Sequence, residues 1–347
     1  MIDLIAAATA AGGKSVYSYT PTGSGDGKAK VASGGVLFAG TDSALSASEQ
    51  QKMPKAWVVP ALAGAVVIGV NVPGFAAGQL RIPREVLADI FLGKLSRWSE
   101  LAPWNPGLER VTANISLVVR SDSSGMSEAF TDALSRFSPE FKAKVGTSSL
   151  PRWPIFTYRE KGTEDVAIRI RVELYSIGYV SQDAADAYNV RYANISNAAG
   201  TFVRPSILSV QAAMDAFEGG LNSELQAESI TDFFQSISDA PATAPDAYPI
   251  ATMTYMAFDP GRLGCAQLFD VVFMLHFIKT SRRALETARD FGFCPLSTAL
   301  RLRMLHALRR LECGGENMLQ RVTLFNSRTC QPGTPSIYPC TLLAAQT

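Results

Sequence analysis

The chain is organised around the stretch Val118-Val119-Arg120-Ser121-Asp122-Ser123-Ser124-Gly125-Met126-Ser127-Glu128-Ala129-Phe130. This stretch leaves a strand that spans residues 114–119, where apolar side chains recur at every second position. It then enters a helix, where apolar side chains recur at helical spacing. The apolar positions are Ile115, Leu117 and Val119 in the strand, and Met126, Phe130 and Leu134 in the helix. The sequence therefore predicts a strand, a short polar turn and a helix.

The polar turn in this stretch has the composition of an anion cradle. A helix N-terminus offers unpaired backbone N–H groups and a partial positive charge, both of which suit an oxyanion. Arg120 adds a planar fork of donors, and Gly125 lets the backbone approach a ligand closely. Hydroxyl groups are supplied by Ser121, Ser123 and Ser124. From this segment alone, a capped helix whose Arg120 makes a structural ion pair with Asp122 is an equally good interpretation.

Two further polar turns follow predicted strands and precede predicted helices. The first, Gly23-Ser24-Gly25, follows a strand over residues 15–20 and can present a hydroxyl and backbone N–H groups to an anion, although this turn alone is more often an ordinary βα turn. The second contains Asp42, after a strand over residues 36–39, although such a residue alone is more often part of a turn or cap. Alternating strands and helices predict an α/β fold with mostly parallel sheets. Turns of this kind converge when two sheets face each other across a cleft.

Composition restricts the classes of partner. At 347 residues with 47% hydrophobic residues, the chain can form two domains, and its net charge of +1 indicates neither nucleic acid nor a membrane surface. The longest apolar run, residues 56–70, contains Pro60, Gly64 and Gly69 and is read as strand-turn-strand, so no transmembrane segment is expected. The N-terminus has no basic region and carries Asp3, so no signal peptide is visible.

The cysteine pattern argues against a metal site. The five cysteines have no CxxC spacing, and the sequence has two histidines, so neither a zinc site nor a cofactor is expected. The sequence does not decide between free thiols and disulfides. The cysteines are Cys265, Cys294, Cys313, Cys330 and Cys340.

The three turns, in this order, resemble those of the periplasmic phosphate-binding protein family, the solute receptors of bacterial phosphate ABC transporters. The resemblance covers residues 15–313. The strings that carry it are Thr20–Gly25, Phe38–Asp42, Gly64–Gly74, Val86–Lys94, Trp98, Asn105–Gly107, Arg120–Gly125, Trp153-Pro154, Ser176–Val180 and Tyr248–Ile250.

This resemblance implies a type II periplasmic-binding-protein clamshell, with two lobes of mostly parallel mixed sheets joined by a hinge. Lobe I would comprise residues 1–71 and 253–313, and lobe II residues 72–252. The hinge would lie near residues 70–72 and 250–253. A loose tail is expected over residues 314–347, because apolar periodicity is lacking there.

By position in the family, the phosphate ligands would be Ser24 and Asp42 from lobe I, and Arg120, Ser124 and Gly125 from lobe II. The supporting residues would be Gly23, Gly25, Asp122 and Met126. An ionised Asp42 can only accept a hydrogen bond, so it requires a ligand that carries a proton. Phosphate carries one at neutral pH and sulfate does not, so Asp42 would separate the two ions.

Three departures from the family pattern bear on affinity. The opening strand and its Thr-Phe-Pro loop are missing, Met126 replaces a threonine donor, and residues 155–160 replace a glycine-rich turn. The chain is therefore expected to be a module of a longer protein or an N-terminally truncated chain. The partner would be an ABC transporter permease or the rest of that longer chain, in an extracytoplasmic compartment.

The leading hypothesis is non-catalytic binding of inorganic phosphate. The alternative is a degenerate sensory or partner-binding module with weak or no phosphate affinity, which Met126 and the missing loop favour. A phosphoester hydrolase is a third hypothesis, but the expected site has neither histidine nor paired carboxylates. Related oxyanions such as molybdate or sulfate are disfavoured by Asp42.

Overall fold

The fold is built around one long strand, Trp57–Val70 (β2), in a computed structural model that describes residues 18–224 and 233–329. All fourteen residues of β2 are buried, and the strand is continuous, so the strand-turn-strand interpretation of this run is wrong. Its proline and two glycines, which could interrupt a strand, lie at positions that accommodate them. Pro60 lies at an irregularity in the pairing, and a Cβ at Gly64 or Gly69 would come within 3.2 Å of Phe293 or 2.9 Å of Val190, respectively.

The described residues include thirteen strands and twelve α-helices. The other strands are β1 (Ala39–Thr41), β3 (Arg81–Ile82), β4 (Ser116–Arg120), β5 (Tyr158–Glu160), β6 (Ser176–Ser181), β7 (Arg191–Tyr192), β8 (Asn194–Ser196), β9 (Phe202–Val203), β10 (Ala251–Phe258), β11 (Cys294–Pro295), β12 (Glu312–Cys313) and β13 (Glu316–Asn317). The helices are α1 (Ser24–Ala32), α2 (Ala47–Lys52), α3 (Arg84–Phe91), α4 (Gly125–Phe137), α5 (Pro139–Lys144), α6 (Gly162–Val172), α7 (Gln182–Ala187), α8 (Ile207–Glu224), α9 (Cys265–Thr280), α10 (Arg282–Asp290), α11 (Thr298–Leu308) and α12 (Met318–Thr329).

The main sheet is mixed, as expected for the α/β class. Its strand order is β1-β10-β2-β6-β4-β5, and β7 and β11 also pair with β2. In this sheet β4 pairs parallel with β5 and β6, whereas every strand that pairs with β2 does so antiparallel. Parallel pairing is therefore a smaller part of this sheet than the alternation of strands and helices predicts.

Strand β2 joins the two halves of this sheet. Its residues up to position 65 pair with β10, and those from position 66 pair with β6. The first half carries β1, and the second half carries β4, so the turns with Asp42 and Arg120 belong to different halves. The division into two lobes stays a prediction, and the passage of β2 between the halves lies close to the expected hinge. Residues 15–17 of the predicted strand over residues 15–20 lie outside the described residues, and residues 18–20 are not in a strand, so the prediction is wrong for its second half.

In the second half of the sheet, a cluster of aromatic side chains packs next to the predicted anion-binding turn. Phe130 on α4 stacks on Tyr179 of β6 with ring centroids 4.4 Å apart, and it meets Phe91 edge-on at 4.8 Å. The Tyr179 hydroxyl hydrogen-bonds Ser127 Oγ at 2.7 Å and accepts the Arg120 backbone N–H at 3.4 Å. Packing of the aromatic core thus determines how the first turn of α4 lies relative to the end of β4.

The first part of the predicted tail is ordered. Residues 312–317 form the β12–β13 hairpin, and α12 follows at once, with Met318, Leu319 and Val322 buried. The expectation of a loose tail is therefore wrong for residues 314–329, because these apolar residues of α12 are buried in the core. Residues 330–347 lie outside the described part of the chain.

Three of the five cysteines lie in the described residues, where two form a disulfide and one is a free thiol. Cys265 at the start of α9 is bonded to Cys313 of β12, with their Cα atoms 5.4 Å apart. Cys294 is a buried free thiol that donates to Gln211 Oε1 at 3.1 Å, and burial raises its pKa to about 12. Cys330 and Cys340 lie outside the described residues. None of the described helices combines the length and apolar character needed to span a membrane.

The buried Lys279 hydrogen-bonds backbone carbonyls of β2 at the irregularity in its pairing with β10. Thr254 pairs with Leu62 and Tyr255 with Pro60, so Ala61 has no partner on β10. The Lys279 amine, 2% exposed, donates to the carbonyl of Pro60 and, at 3.2 Å, to that of Ala61. Burial, with a contribution from Arg301, lowers the pKa of Lys279 from 10.5 to about 7. A neutral amine retains two N–H donors, enough for both carbonyls.

The lowered pKa of Lys279 predicts a pH dependence of stability. Between about pH 10.5 and 7 the unfolded chain holds a proton that the folded chain lacks, so the free energy of unfolding falls as pH falls through this window and is unaffected by Lys279 below it. The slope from this group approaches about 1.4 kcal/mol per pH unit. Chemical denaturation at several pH values should give a smaller slope for Lys279→Met than for the wild type. The exposed Lys142→Met is the control, and an unchanged slope in Lys279→Met would contradict this interpretation.

Candidate anion-binding site

The three predicted turns meet at one place, between the two halves of the sheet. The Ser24 hydroxyl accepts hydrogen bonds from the backbone N–H of Gly125 at 3.1 Å and from that of Asp42 at 3.3 Å. The Gly25 N–H donates to the Ser123 carbonyl at 3.3 Å. Since Ser24 and Gly125 are the first residues of α1 and α4, two helix N-termini face each other here. Their partial positive charges favour an anion between them.

Glycines make this close approach of the turns possible. A Cβ on Gly23 would lie 2.3 Å from the Ser123 carbonyl oxygen, and one on Gly25 would lie 2.5 Å from Ser123 Oγ. A Cβ on Gly125 would lie 2.4 Å from Ser24 Oγ. Side chains at these positions would force the turns apart, so the close contact between the turns requires glycine here.

Arg120 lies at the end of β4, with its guanidinium held in a fixed plane. Its Nε and Nη2 donate to the two carboxylate oxygens of Asp122 at 2.7 and 2.5 Å, and its Nη1 donates to Thr163 Oγ1 at 3.0 Å. A guanidinium has five N–H donors, so these bonds leave one N–H on each of Nη1 and Nη2. Each of these N–H groups can donate to an oxygen of a tetrahedral anion.

Asp122 is held as a carboxylate behind Arg120. Burial alone would raise its pKa, but the hydrogen bonds and charge of Arg120, with a further bond from the Gly162 N–H at 3.2 Å, lower the pKa below its ordinary value. The ion pair anticipated from sequence therefore exists. It does not exclude an anion, because it uses one edge of the guanidinium.

Ser124 has the capping role that the sequence left open. It is 2% exposed, and its Oγ accepts the Ser127 N–H at 3.3 Å as the N-cap of α4. An accepting hydroxyl keeps its own proton, so Ser124 remains able to donate to a ligand. Met126, in the first turn of α4, is half-buried against the apolar core, and its side chain has no hydrogen-bond donor.

Asp42 places a carboxylate from the first half of the sheet beside Ser24, whose hydroxyl accepts the Asp42 N–H. Burial raises its pKa, while a hydrogen bond from Thr254 and the charge of Arg120 act in the opposite direction. Thr254 Oγ1 donates to Asp42 Oδ1 at 2.6 Å. No side chain of the described residues donates a hydrogen bond to the second oxygen, Oδ2, so this oxygen can still accept one.

Several residues of this region were missed by sequence reasoning. Thr163 and Thr254 contact Arg120 and Asp42, and Ser149 binds the cradle through its carbonyl, 2.9 Å from the Ser124 N–H. Each is distant in sequence from its partner and has no local motif. Within residues 18–224 and 233–329, no group of three or more His, Cys, Asp or Glu side chains could hold a metal ion.

Sequence comparison relates the chain to phosphate-binding proteins. It is 35% identical over 241 residues to the phosphate-binding protein PstS of Xylella fastidiosa (strain Temecula1), covering 69% of this chain and 63% of that protein. It is 37% identical over 198 residues to the PstS of Pasteurella multocida, covering 56% of this chain and 57% of that protein. The chain thus spans less than two thirds of the length of these curated relatives. Both are named for binding, in agreement with the expected non-catalytic family.

Structural comparison supports the same fold. A high affinity periplasmic phosphate-binding protein (PfluDING), solved with bound phosphate, matches with a TM-score of 0.69 at 22% identity, covering 91% of this chain and 95% of that one. A phosphate-binding protein from Stenotrophomonas maltophilia matches with a TM-score of 0.66 at 23% identity, covering 86% and 88%. Residues 2–271 match the family described as the PBP superfamily domain. The chain therefore belongs to the PBP superfamily and has the α/β fold of the periplasmic phosphate-binding proteins.

Proposed function

We propose that this chain binds inorganic phosphate, without catalysis, between the two halves of its sheet. The observation that carries the proposal is the convergence of two helix N-termini, the fork of Arg120 and the carboxylate of Asp42 at one place. Donors and positive charge suit a tetrahedral anion, and a single carboxylate among them is useful only for a ligand that carries a proton.

In this proposal the anion replaces Ser24 Oγ as the partner of the Gly125 N–H. Arg120 supplies the full countercharge, and the hydroxyls of Ser24 and Ser124 donate. Because the turns are in contact, the ligand enters when the halves separate, with the segments near residues 70–72 and 250–253 as the hinge. The lobes would be residues 1–71 with 253–313, and residues 72–252. Gly23, Gly25 and Asp122 support the site, and Met126 takes the place of a donor.

A second candidate is a sensory or partner-binding module with weak phosphate affinity. Met126 favours it, because one lost hydrogen bond to a charged ligand weakens binding by roughly 1.5–3 kcal/mol. Tight phosphate binding by this chain would exclude this candidate. A phosphoester hydrolase lacks support, since no metal-binding cluster exists among the described residues.

The disulfide bears on compartment and partner. Cys265–Cys313 is typical of an oxidising environment, which favours an extracytoplasmic location. In that compartment, the partner of this protein would be the permease of an ABC transporter or the rest of a longer chain.

The test of the proposed function is Asp42→Asn. An asparagine can turn its amide N–H toward sulfate and no longer places a charge against it, so the preference for phosphate should shrink by about tenfold or more. Calorimetric titration with each ion at neutral pH measures both dissociation constants. Asp183→Asn removes a nearby negative charge and is the control, for which we expect similar changes in both affinities. An unchanged preference in Asp42→Asn would contradict the proposed role.

A further inference from the structure

Thr254 donates a hydrogen bond to the carboxylate of Asp42, the group that we propose accepts the proton of the ligand. Its Oγ1 lies 2.6 Å from Asp42 Oδ1, and both side chains are half-buried. Among residues 18–224 and 233–329, it is the one side chain that donates a hydrogen bond to this carboxylate. The inference drawn from this contact rests on the proposed phosphate site.

The strand register brings Thr254 opposite Asp42. Strand β1 pairs antiparallel with β10 and ends with Thr41 opposite Tyr255, so Asp42, which directly follows β1, comes beside Thr254, which precedes Tyr255. Directly opposed residues are the closest side-chain neighbours between antiparallel strands. The contact is therefore a consequence of sheet pairing and not of a flexible loop.

The irregularity in the pairing of β10 with β2 lies next to Thr254. The register shifts between Thr254 and Tyr255, and the Lys279 amine holds the carbonyls of Pro60 and Ala61 at this shift. Thr254 is thus held between β1 and a buried feature of β2. A side chain positioned in this way can set the orientation of the carboxylate that it binds.

A threonine hydroxyl has one proton to donate, and here it is directed at a single carboxylate oxygen. The bond occupies Oδ1 and leaves Oδ2 to accept a proton from the ligand. Donation also favours the ionised carboxylate, against the burial that disfavours it. We propose that Thr254 is a specificity-determining positioning residue, which keeps Asp42 ionised and presents Oδ2 to the proton of hydrogen phosphate.

The other charged and titratable groups around Asp42 do not duplicate this role. Arg120 favours the ionised carboxylate through its charge, whereas Asp183 disfavours it. The charge of Asp42 in turn disfavours ionisation of Tyr19, Glu128 and Tyr255. Loss of the Thr254 hydroxyl would therefore raise the pKa of Asp42 further, with Arg120 as the remaining opposing influence.

The test compares Thr254→Val, which keeps the shape and removes the hydroxyl, with Thr254→Ser, which keeps the hydroxyl. Thr252→Val, on the same strand two residues away, is the control for packing. The first readout is the NMR titration of the Asp42 carboxyl carbon in the protein without added anion. We expect a higher midpoint for Thr254→Val, and midpoints close to that of the wild type for Thr254→Ser and Thr252→Val.

The second readout is calorimetric titration with phosphate and sulfate at about pH 5 and about pH 7. Thr254→Val should bind phosphate about tenfold or more weakly at both pH values, and it should lose more of its preference over sulfate at the lower pH, where Asp42 becomes protonated. Thr254→Ser should restore both properties. An unchanged Asp42 midpoint together with an unchanged preference would overturn the proposal for Thr254. A wild-type protein that binds no phosphate would overturn the proposed function instead, while the NMR titration would still decide whether Thr254 controls the ionisation of Asp42.

Discussion

Replacement of Arg120 by alanine is expected to abolish measurable phosphate binding, with the dissociation constant raised about 100-fold or more. Truncating one partner of a buried, hydrogen-bonded charge pair weakens binding by roughly 2–5 kcal/mol, much of it from the charge left unpaired. Arg120 is the proposed countercharge, and its remaining N–H groups on Nη1 and Nη2 are its proposed donors to phosphate. Titration calorimetry of the folded variant measures the loss.

The ion pair with Asp122 requires a second variant, because Arg120→Ala leaves that carboxylate facing the ligand. The double variant Arg120→Ala with Asp122→Ala removes the repulsion and should still fail to bind, since the donors of Arg120 remain absent. Arg159→Ala removes an exposed arginine from the neighbouring strand β5, and its affinity should lie within about threefold of the wild type. Recovery of binding in the double variant would show that Asp122, and not the loss of Arg120, prevents it.

Replacement of Gly23 by alanine is expected to be nearly as damaging to binding. The backbone at Gly23 has φ −71° and ψ 157°, which alanine adopts without strain, so the effect is steric. A Cβ 2.3 Å from the Ser123 carbonyl oxygen can be relieved only by moving the two turns apart. Overpacking typically costs about 1–3 kcal/mol, which corresponds to a loss of affinity of about 5- to 150-fold.

The matched control for this variant is Gly35→Ala. A Cβ there would meet no atom closer than 3.5 Å, so affinity should be unchanged. Because the Gly23 contact joins the two halves and lies outside either core, the denaturant midpoint of Gly23→Ala should stay near that of the wild type. If Gly23→Ala binds phosphate as tightly as the wild type does, then close contact of the turns is not part of the binding arrangement.

The local elements around the site could be predicted from sequence because each carries its own signal. The alternation before Arg120 and the helical spacing after Gly125 define β4 and α4. The ion pair between Arg120 and Asp122 could also be predicted from the sequence, since the two residues are two positions apart.

The remaining features depend on contacts between distant parts of the chain. Pro60, Gly64 and Gly69 usually interrupt a strand, but here the pairing of β2 with β10 and close packing from distant side chains accommodate them. Thr163 lies 43 residues from Arg120 and Thr254 lies 212 residues from Asp42, so neither contact leaves a local pattern.

The most direct test of phosphate binding is calorimetric titration of the wild-type chain with phosphate and with sulfate at neutral pH. We predict one phosphate bound per chain and sulfate bound at least about tenfold more weakly, because Asp42 accepts the proton that only phosphate carries. Equal affinity for the two ions would contradict the role of Asp42. Failure to bind either ion would contradict the proposed function and would favour a module that retains the fold without the affinity.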